Sequence, residues 1–547
     1  MSDGSGQTAW SFDTMGRPLA EKRTIASITK TMSYSYNLDG SPAAITYPSG
    51  RVLSYSYSNA AKPVSAVDSA NNINYATSAT YAPHGALASM VNGQVSGGFA
   101  GITTSNSYNH RLFPTALSSS STNGTALSFS YSFFANGNVN VETNGRDNGR
   151  SVTVTYDALN RVSTASSQAT SGSDCWGQSM TYDRYANLTA ITTTKCSSPG
   201  LSLSVNTSNH ITNSGFTYDA GGDLTADGLY SYAWNAEAHQ TSGNGVTYTS
   251  DGDLKRVKKS SGTLYWYCCG GRLLATSNLS GNILSEYTYF NGRRIARRDG
   301  SSNNPYYIFS DRLASYRTLT DNNGYVKGES DYYPFGGERV VSSTVTDNFR
   351  FTGMEWDSED GLNHTLYRQF TPAQGRWETP DPKRGCVNFP QGQNRYAYVK
   401  DNATNLTDPR GLFAGHVMEP ANTGTGVDPF EPVRICDDSG CYWGIMGDVY
   451  GYGDGGDSGG DDGSGKCTIS TSKKYHVPLP GNLCLGHKYK GKSATFVEEW
   501  TCKGDLACCI DQSYKYIDSC YDRDHGNYFA TEIFWWWETG TMDCCKW

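Results

Sequence analysis

Two aspartates, Asp381 and Asp408, each stand directly before a proline. Paired carboxylates can hydrolyse an amide: one acts as base to activate water, and the other protonates the leaving nitrogen. Held close together they cannot both ionise cheaply, so one keeps a proton and the two roles divide between them. Their separation along the chain does not forbid this, because a folded core can bring them together. Asp-Pro is also a common turn former, and Asp428-Pro429 shows it in a plain context, so the residue types alone leave both readings open. Further along, His476, His487 and His525 are candidate bases, with Asp518 among the nearby acids, yet no Ser-His-Asp order and no metal-ligand spacing links them. No metal site and no cofactor is expected.

The elements that must position the aspartates are written as a repeat. One phrase recurs: Tyr36-Asn37-Leu38-Asp39-Gly40, Tyr156-Asp157-Ala158-Leu159-Asn160, Tyr182-Asp183-Arg184-Tyr185-Ala186-Asn187-Leu188, Tyr218-Asp219-Ala220-Gly221-Gly222-Asp223-Leu224 and Tyr248-Thr249-Ser250-Asp251-Gly252-Asp253-Leu254. Before it runs an alternating strand such as Val152-Thr153-Val154-Thr155-Tyr156, which puts every second side chain on one face. The Asp/Asn/Gly cluster turns the chain, and a Leu or Val opens the return strand. A single hairpin of this kind cannot bury its own apolar face, so neighbours must stack.

The bulk properties agree. Across 547 residues the chain has 60 Gly and 38 Tyr, a composition suited to short strands and turns, and is long enough for several domains or an array. The net charge of −8 gives no general reason to expect nucleic-acid binding by the repeat region. No run of 18 apolar residues predicts a membrane-spanning helix. Met1 to Trp10 has no basic and apolar signal pattern, so a classical signal peptide is not expected, and the segment from Trp10 already reads as the middle of a repeat.

The repeat phrase resembles the YD repeat, and a set of later motifs sharpens the likeness. These are Ser310-Asp311-Arg312-Leu313-Ala314-Ser315-Tyr316-Arg317, Asp331-Tyr332-Tyr333-Pro334-Phe335-Gly336, Phe349-Arg350-Phe351-Thr352-Gly353-Met354-Glu355, Gly375-Arg376-Trp377 and Asp408-Pro409-Arg410-Gly411-Leu412. Together they are similar to the repeat-associated core of RHS/YD-repeat proteins of the polymorphic-toxin type, over about three quarters of the chain. Ala314 stands where that family usually has Gly, Trp377 where it has Phe, and Leu366-Tyr367-Arg368-Gln369-Phe370 where it has Ala-Arg-Tyr-Tyr. The resemblance implies a mainly β fold: a YD-repeat strand spiral forming a partial or closed shell over 1–300, a core over 301–412, and then cargo. It also implies self-cleavage by Asp381 and Asp408, with Arg376 positioning or charge-stabilising the site and the cut between Leu412 and Phe413.

Composition changes at Phe413. From there to Trp547 there are 20 Asp and Glu against 11 Lys and Arg, and ten of the 15 cysteines. Residues 413–465, ending in the Gly/Asp run 451–465, read as a linker. Residues 466–547 read as a small disulfide-rich domain and effector candidate, since the cysteines include adjacent pairs and no CxxC. Ala507-Cys508-Cys509 and Ile517-Asp518-Ser519-Cys520-Tyr521 touch the phospholipase A2 pattern, but Ile517 stands at the position of the catalytic His. The family likeness implies that this C-terminal segment is encapsulated cargo, freed to act in intercellular competition. It further implies an immunity protein as partner, and secretion or surface display through a dedicated export apparatus. The other reading is a YD-repeat surface scaffold for adhesion, binding carbohydrate or protein without toxicity.

Overall fold

The computed structural model describes residues 1–412 apart from 269–270, 301 and 383–389, and beyond them the backbone of strands at 415–416, 432–437, 440–445, 472–478, 493–499, 514–522 and 527–533. The chain divides into two compact units, Met1–Pro382 with Asn394–Gly451, and Lys383–Gln393 with Tyr452–Trp547.

The first unit is almost entirely antiparallel β. An 18-stranded sheet runs from Ser2–Asp3 to Leu201–Ser202, each strand bonded to the next in sequence. A hairpin of Phe216–Tyr218 and Leu224–Asp227 follows, and then a 12-stranded sheet from Tyr232–Trp234 to Glu338–Ser343. A four-stranded sheet closes the series, from Glu355–Asp357 to Arg376–Trp377.

The hairpin turns explain the Tyr-Asp phrase. At Asp157 the Oδ1 atom accepts the amides of Leu159 and Arg161 at 2.9 and 3.0 Å, and the Asn160 amide donates to the Asp157 carbonyl at 3.0 Å. The side chain thus caps amides that the turn leaves outside the ladder. Asn160 takes a left-handed φ of 63°, which Asn tolerates better than most residues. Asp183, Asp219 and Asp251 repeat the pattern, and Asn109, Asn206, Asn235 and Asn278 substitute for it with a carboxamide oxygen.

The tyrosine has a different partner. The Tyr182 hydroxyl donates to the Val162 carbonyl at 2.7 Å, Tyr156 to Val139 at 2.9 Å, Tyr108 to Leu87 at 2.8 Å and Tyr81 to Pro63 at 2.6 Å. Each acceptor opens the return strand of the preceding hairpin. Asp therefore makes its own turn while Tyr fastens that turn to the one before it. The residue after the turn adds to the link: the Arg161 guanidinium lies 4.4 Å from the Tyr182 ring centre.

The two large sheets share one apolar core, in which Met32, Tyr47, Leu53, Tyr75 and Phe129 meet Phe290, Ile295, Tyr307 and Phe309. Buried ion pairs join them as well, Arg51 to Glu286 at 3.1 Å and Arg150 to Glu329 and Asp331 at 2.6 and 2.7 Å. Cys175 and Cys196 form a disulfide across the hairpin whose strands are Trp176–Tyr182 and Leu188–Cys196.

In the second unit, strands at 472–478, 493–499, 514–522 and 527–533 pair in sequence order as an antiparallel sheet. The cysteines of 466–547 and the Gly/Asp run 451–465 lie outside what is described, in side chain or entirely. No helix among the described residues is long and apolar enough to cross a membrane.

Candidate self-cleavage site

Asp381 is carried by a backbone held on both sides. Trp377 donates its amide to the Tyr396 carbonyl at 2.9 Å, Glu378 to Gln369 at 3.0 Å and Asp381 to Arg395 at 2.8 Å. The anchor is Trp377, 1 % exposed, packed against Phe370 and Tyr398 with ring centres 5.7 and 5.5 Å away.

Asp408 sits just past the strand Leu406–Thr407 and is buried. Its Oδ1 accepts the amides of Gly411 and Leu412 at 2.8 and 2.9 Å, the side-chain cap of the repeat turns applied to the last turn of the core. Pro409 carries no amide to satisfy and fixes its own φ. Gly411 has φ 82°, and a Cβ there would stand 2.5 Å from Thr365 Oγ1 and 3.0 Å from the Arg368 nitrogen, so only glycine fits. The spacing Asp-Pro-x-Gly-Leu is thus a statement about this turn.

The two carboxylates meet on one guanidinium. Arg368 Nη2 lies 2.9 Å from Asp381 Oδ2 and 3.2 Å from Asp408 Oδ2. Arg368 Nη1 donates to the Arg395 carbonyl at 3.2 Å, and its Nε donates to the carbonyl of Gly411. Its guanidinium carbon rests 4.4 Å from the Trp377 ring centre. Burial lowers the pKa of Arg368, with Asp381 and Asp408 opposing that shift. The side chain therefore ties both acids to the backbone immediately before the Leu412–Phe413 bond. Leu412 is half-buried, and Phe413 lies outside the described residues.

The bridging arginine is thus Arg368, while Arg376 faces elsewhere. Arg376 Nη2 donates to the Asn209 carbonyl at 2.7 Å, and its guanidinium stacks 4.5 Å from the Tyr396 ring centre. The reason is strand parity: Arg376 and Trp377 are neighbours in a strand, so their side chains take opposite faces, and Trp377 holds the Arg368 side. Beside Arg376 lies Glu378, whose carboxyl burial pushes well above the usual range and whose Oε1 accepts no hydrogen bond. A sequence signal for Arg368 did exist. It is the arginine retained where Tyr367-Arg368-Gln369-Phe370 replaces Ala-Arg-Tyr-Tyr.

Of the tail candidates, His476 pairs in register with Thr495 and Thr495 with Ser519, so Asp518 falls one residue out of that row. His487 and His525 lie outside the described residues. Among the described residues, no group of three or more His, Cys, Asp or Glu is arranged to hold a metal ion.

No family model matches the chain. Among curated proteins it is 27% identical over 256 residues to the tRNA nuclease WapA of Bacillus subtilis, which covers 44% of this chain and 11% of that protein. It is 29% identical over 203 residues to toxin subunit YenC2 of Yersinia entomophaga, covering 32% of this chain and 20% of YenC2. Over 110 residues it is 29% identical to toxin protein Tse5 of Pseudomonas aeruginosa, covering 20% of this chain and 8% of Tse5. The matches therefore span a fifth or less of these relatives' length. Among solved structures, the crystal structure of TcdB2-TccC3 superposes with a TM-score of 0.63 at 20% identity, over 75% of this chain and 24% of that one, a likeness of fold. The sequential hairpins, their Tyr-Asp turns and these likenesses define an RHS/YD-repeat β-shell. Within that class the chain is similar, over its repeat and core segments, to RHS-type toxin proteins such as WapA, YenC2 and Tse5.

Proposed function

We propose that this chain is a shell that encapsulates its own C-terminal segment and frees it by cleaving itself after Leu412. The observation that carries this reading is the shared guanidinium. Asp408 caps the Gly411 and Leu412 amides with one oxygen, and with the other it shares Arg368 with Asp381. Both acids are then gathered at the backbone leading into the bond. In the reaction, one carboxylate takes a proton from water as the oxygen attacks the Leu412 carbonyl carbon. The other, protonated, gives its proton to the Phe413 nitrogen as the C–N bond breaks, leaving a new carboxylate and a free amine. Arg368 keeps the two acids together and offers positive charge to the oxyanion that forms between these steps.

In this reading residues 1–300 are the repeat shell, 301–412 the core, 413–465 the linker and 466–547 the effector, used in competition between cells. An immunity protein and a dedicated export apparatus are the partners it calls for, with the chain secreted or displayed at the surface. The named relatives that are nucleases or toxin subunits support the class of cargo without assigning its target.

The test is a denaturing gel of the purified chain. Wild type is expected to run as two pieces, and Asp408→Asn or Asp381→Asn as one, a loss of at least about a thousandfold in cleavage rate. A wild-type chain that stays whole after denaturation, indistinguishable from Asp408→Asn, would sink the self-cleavage reading. Directed to the bacterial periplasm, the wild-type chain is expected to slow growth. Unimpaired growth alongside complete cleavage would favour the adhesion scaffold instead.

A further inference from the structure

The two acids of the site lie on segments that the repeat turns themselves hold. One segment begins at Asn394, which is 7 % exposed. Its Nδ2 donates to the Ala186 carbonyl at 2.9 Å and to Asn187 Oδ1 at 2.8 Å, and its Oδ1 accepts the Tyr396 amide at 3.1 Å. Asn187 fixes the direction of this contact. Its own Nδ2 donates to Asp183 Oδ2 and to Asn209 Oδ1, both at 2.8 Å, so it presents its oxygen to Asn394. The seat on the Asp183 turn therefore offers two oxygens, and Asn394 supplies a hydrogen to each.

The next residue, Arg395, holds Asp381. Its carbonyl accepts the Asp381 amide at 2.8 Å and Arg368 Nη1 at 3.2 Å, and its Nε donates to the Asp381 carbonyl at 2.5 Å. The Asp408 segment is seated in a similar way. Asn405 Oδ1 accepts the Val139 amide at 2.8 Å and its Nδ2 donates to Asn402 Oδ1 at 2.6 Å, while Asn402 Nδ2 donates to Asn138 Oδ1 at 3.2 Å. The two seats belong to the hairpins Gly124–Phe133 with Val139–Asn144 and Trp176–Tyr182 with Leu188–Cys196, and the hairpin Val152–Tyr156 with Val162–Ser167 stands between them in the sheet.

We infer that Asn394 is a positioning residue for self-cleavage: it seats the Arg395 backbone, and through it Asp381 and Arg368, on the Asp183 turn, opposite the Asp408 segment that Asn405 seats on the turn before Val139. The repeat sheet then sets how the two acids stand to each other, and the site assembles only when these hairpins are side by side. Cleavage therefore follows formation of that part of the shell. This rests on the self-cleavage reading and adds to it a residue that touches no reacting atom.

Shape and donors can be separated at Asn394. Asn394→Asp keeps the shape but turns a carboxylate toward the Ala186 and Asn187 oxygens, whereas Asn394→Gln keeps both N–H donors and changes the shape. Cleavage is timed on a denaturing gel after cell-free synthesis of the full chain, at a temperature where the variants stay folded. Asn394→Asp is expected to cleave about a hundredfold more slowly than wild type, and Asn394→Gln about tenfold more slowly. The reverse order, which packing alone predicts, would overturn the proposal, as would wild-type rates in both. Tyr81→Phe is the control. It removes the bond from the Tyr81 hydroxyl to the Pro63 carbonyl, in a hairpin that holds neither seat, and is expected to lower the melting temperature while cleaving at the wild-type rate. Slowing in Tyr81→Phe equal to that in Asn394→Asp would reduce the effect to general stability and overturn the proposal too.

A second measurement needs no cleavage. In the Asp408→Asn background, hydrogen exchange at the Trp377 and Asp381 amides is expected to speed up when Asn394→Asp is added, because their acceptors are the Tyr396 and Arg395 carbonyls. The Tyr185 and Asn187 amides, capped by Asp183, are expected to keep their rate. Unchanged exchange at Asp381 would refute the seat, and faster exchange throughout the sheet would assign Asn394 to folding instead of positioning. A wild-type chain that never cleaves would count against the function proposed above and leave this exchange result to decide the seat.

Discussion

Two buried sites in this molecule use the same parts. At one, Arg368 is shared by Asp381 and Asp408. At the other, Arg317 Nη1 is shared by Glu142 and Asp311 at 3.0 and 3.2 Å, and its Nη2 by Asp331 at 2.7 Å. The likeness extends to the turns. Asp311 Oδ1 caps the amides of Leu313 and Ser315, as Asp408 Oδ1 caps Gly411 and Leu412, and each aspartate gives its second oxygen to the arginine. Carboxylates gathered on a guanidinium are therefore not sufficient for chemistry. What differs is the chain that follows. After Asp311 the backbone re-enters the sheet in Tyr316–Thr320, and the capped amides belong to a closed hairpin. After Asp408 the capped turn delivers Leu412 and the proposed bond.

The charge around the two arginines differs as well. Asp331 also binds Arg150 at 2.7 Å, and although burial pushes its carboxyl up, Arg317 and Arg150 overcome that and hold it below its ordinary value. Glu142 remains raised by burial in spite of Arg317. The Arg317 site is a ledger of compensated charges joining two sheets. Removing the arginine from each site breaks or sharpens the comparison. Arg317→Met strands several buried carboxylates and is expected to lose about 3–5 kcal/mol of unfolding free energy. Arg368→Met leaves one buried acid and one partly exposed, so the expected loss is smaller, about 1–3 kcal/mol, while self-cleavage falls steeply. Denaturant titration with a cleavage gel on both variants measures each effect. Equal stability losses with equal cleavage would erase the distinction.

The same contrast shows how much was legible in the sequence. The Asp157 and Asp408 turns could be read from local residues, since acceptor and capped amides lie within four positions. The strand alternation and the repeat phrase are equally local, and with them most of the fold. What the Tyr of each phrase does was not legible, because its acceptor lies in the previous hairpin, as Val162 does for Tyr182. The pairing of Cys175 with Cys196 was not legible for a related reason: it becomes evident only once Trp176 and Cys196 are known to be in register. At the site, Asp381 and Asp408 were found by motif, but the arginine between them depends on which face of a two-residue strand Trp377 occupies. Parity decides that, and a misplaced strand boundary reverses it.

A finer test of the same contrast lies in the residue each turn puts in the left-handed region. Ala314 has φ 65° in the Asp311 turn, and Gly411 has φ 82° in the Asp408 turn. Gly411→Ala meets both the conformational cost and the contacts at Thr365 and Arg368, and is expected to slow cleavage about ten- to a hundredfold by shifting Arg368. Ala314→Gly removes a left-handed cost of about 1–2 kcal/mol and returns about 0.5–1 kcal/mol to the unfolded chain as entropy. The expected result is a gain of up to about 1 kcal/mol with cleavage unchanged, since the Asp311 turn holds no reacting bond. If Ala314→Gly altered cleavage as Gly411→Ala does, the two turns would not be the separate devices described above.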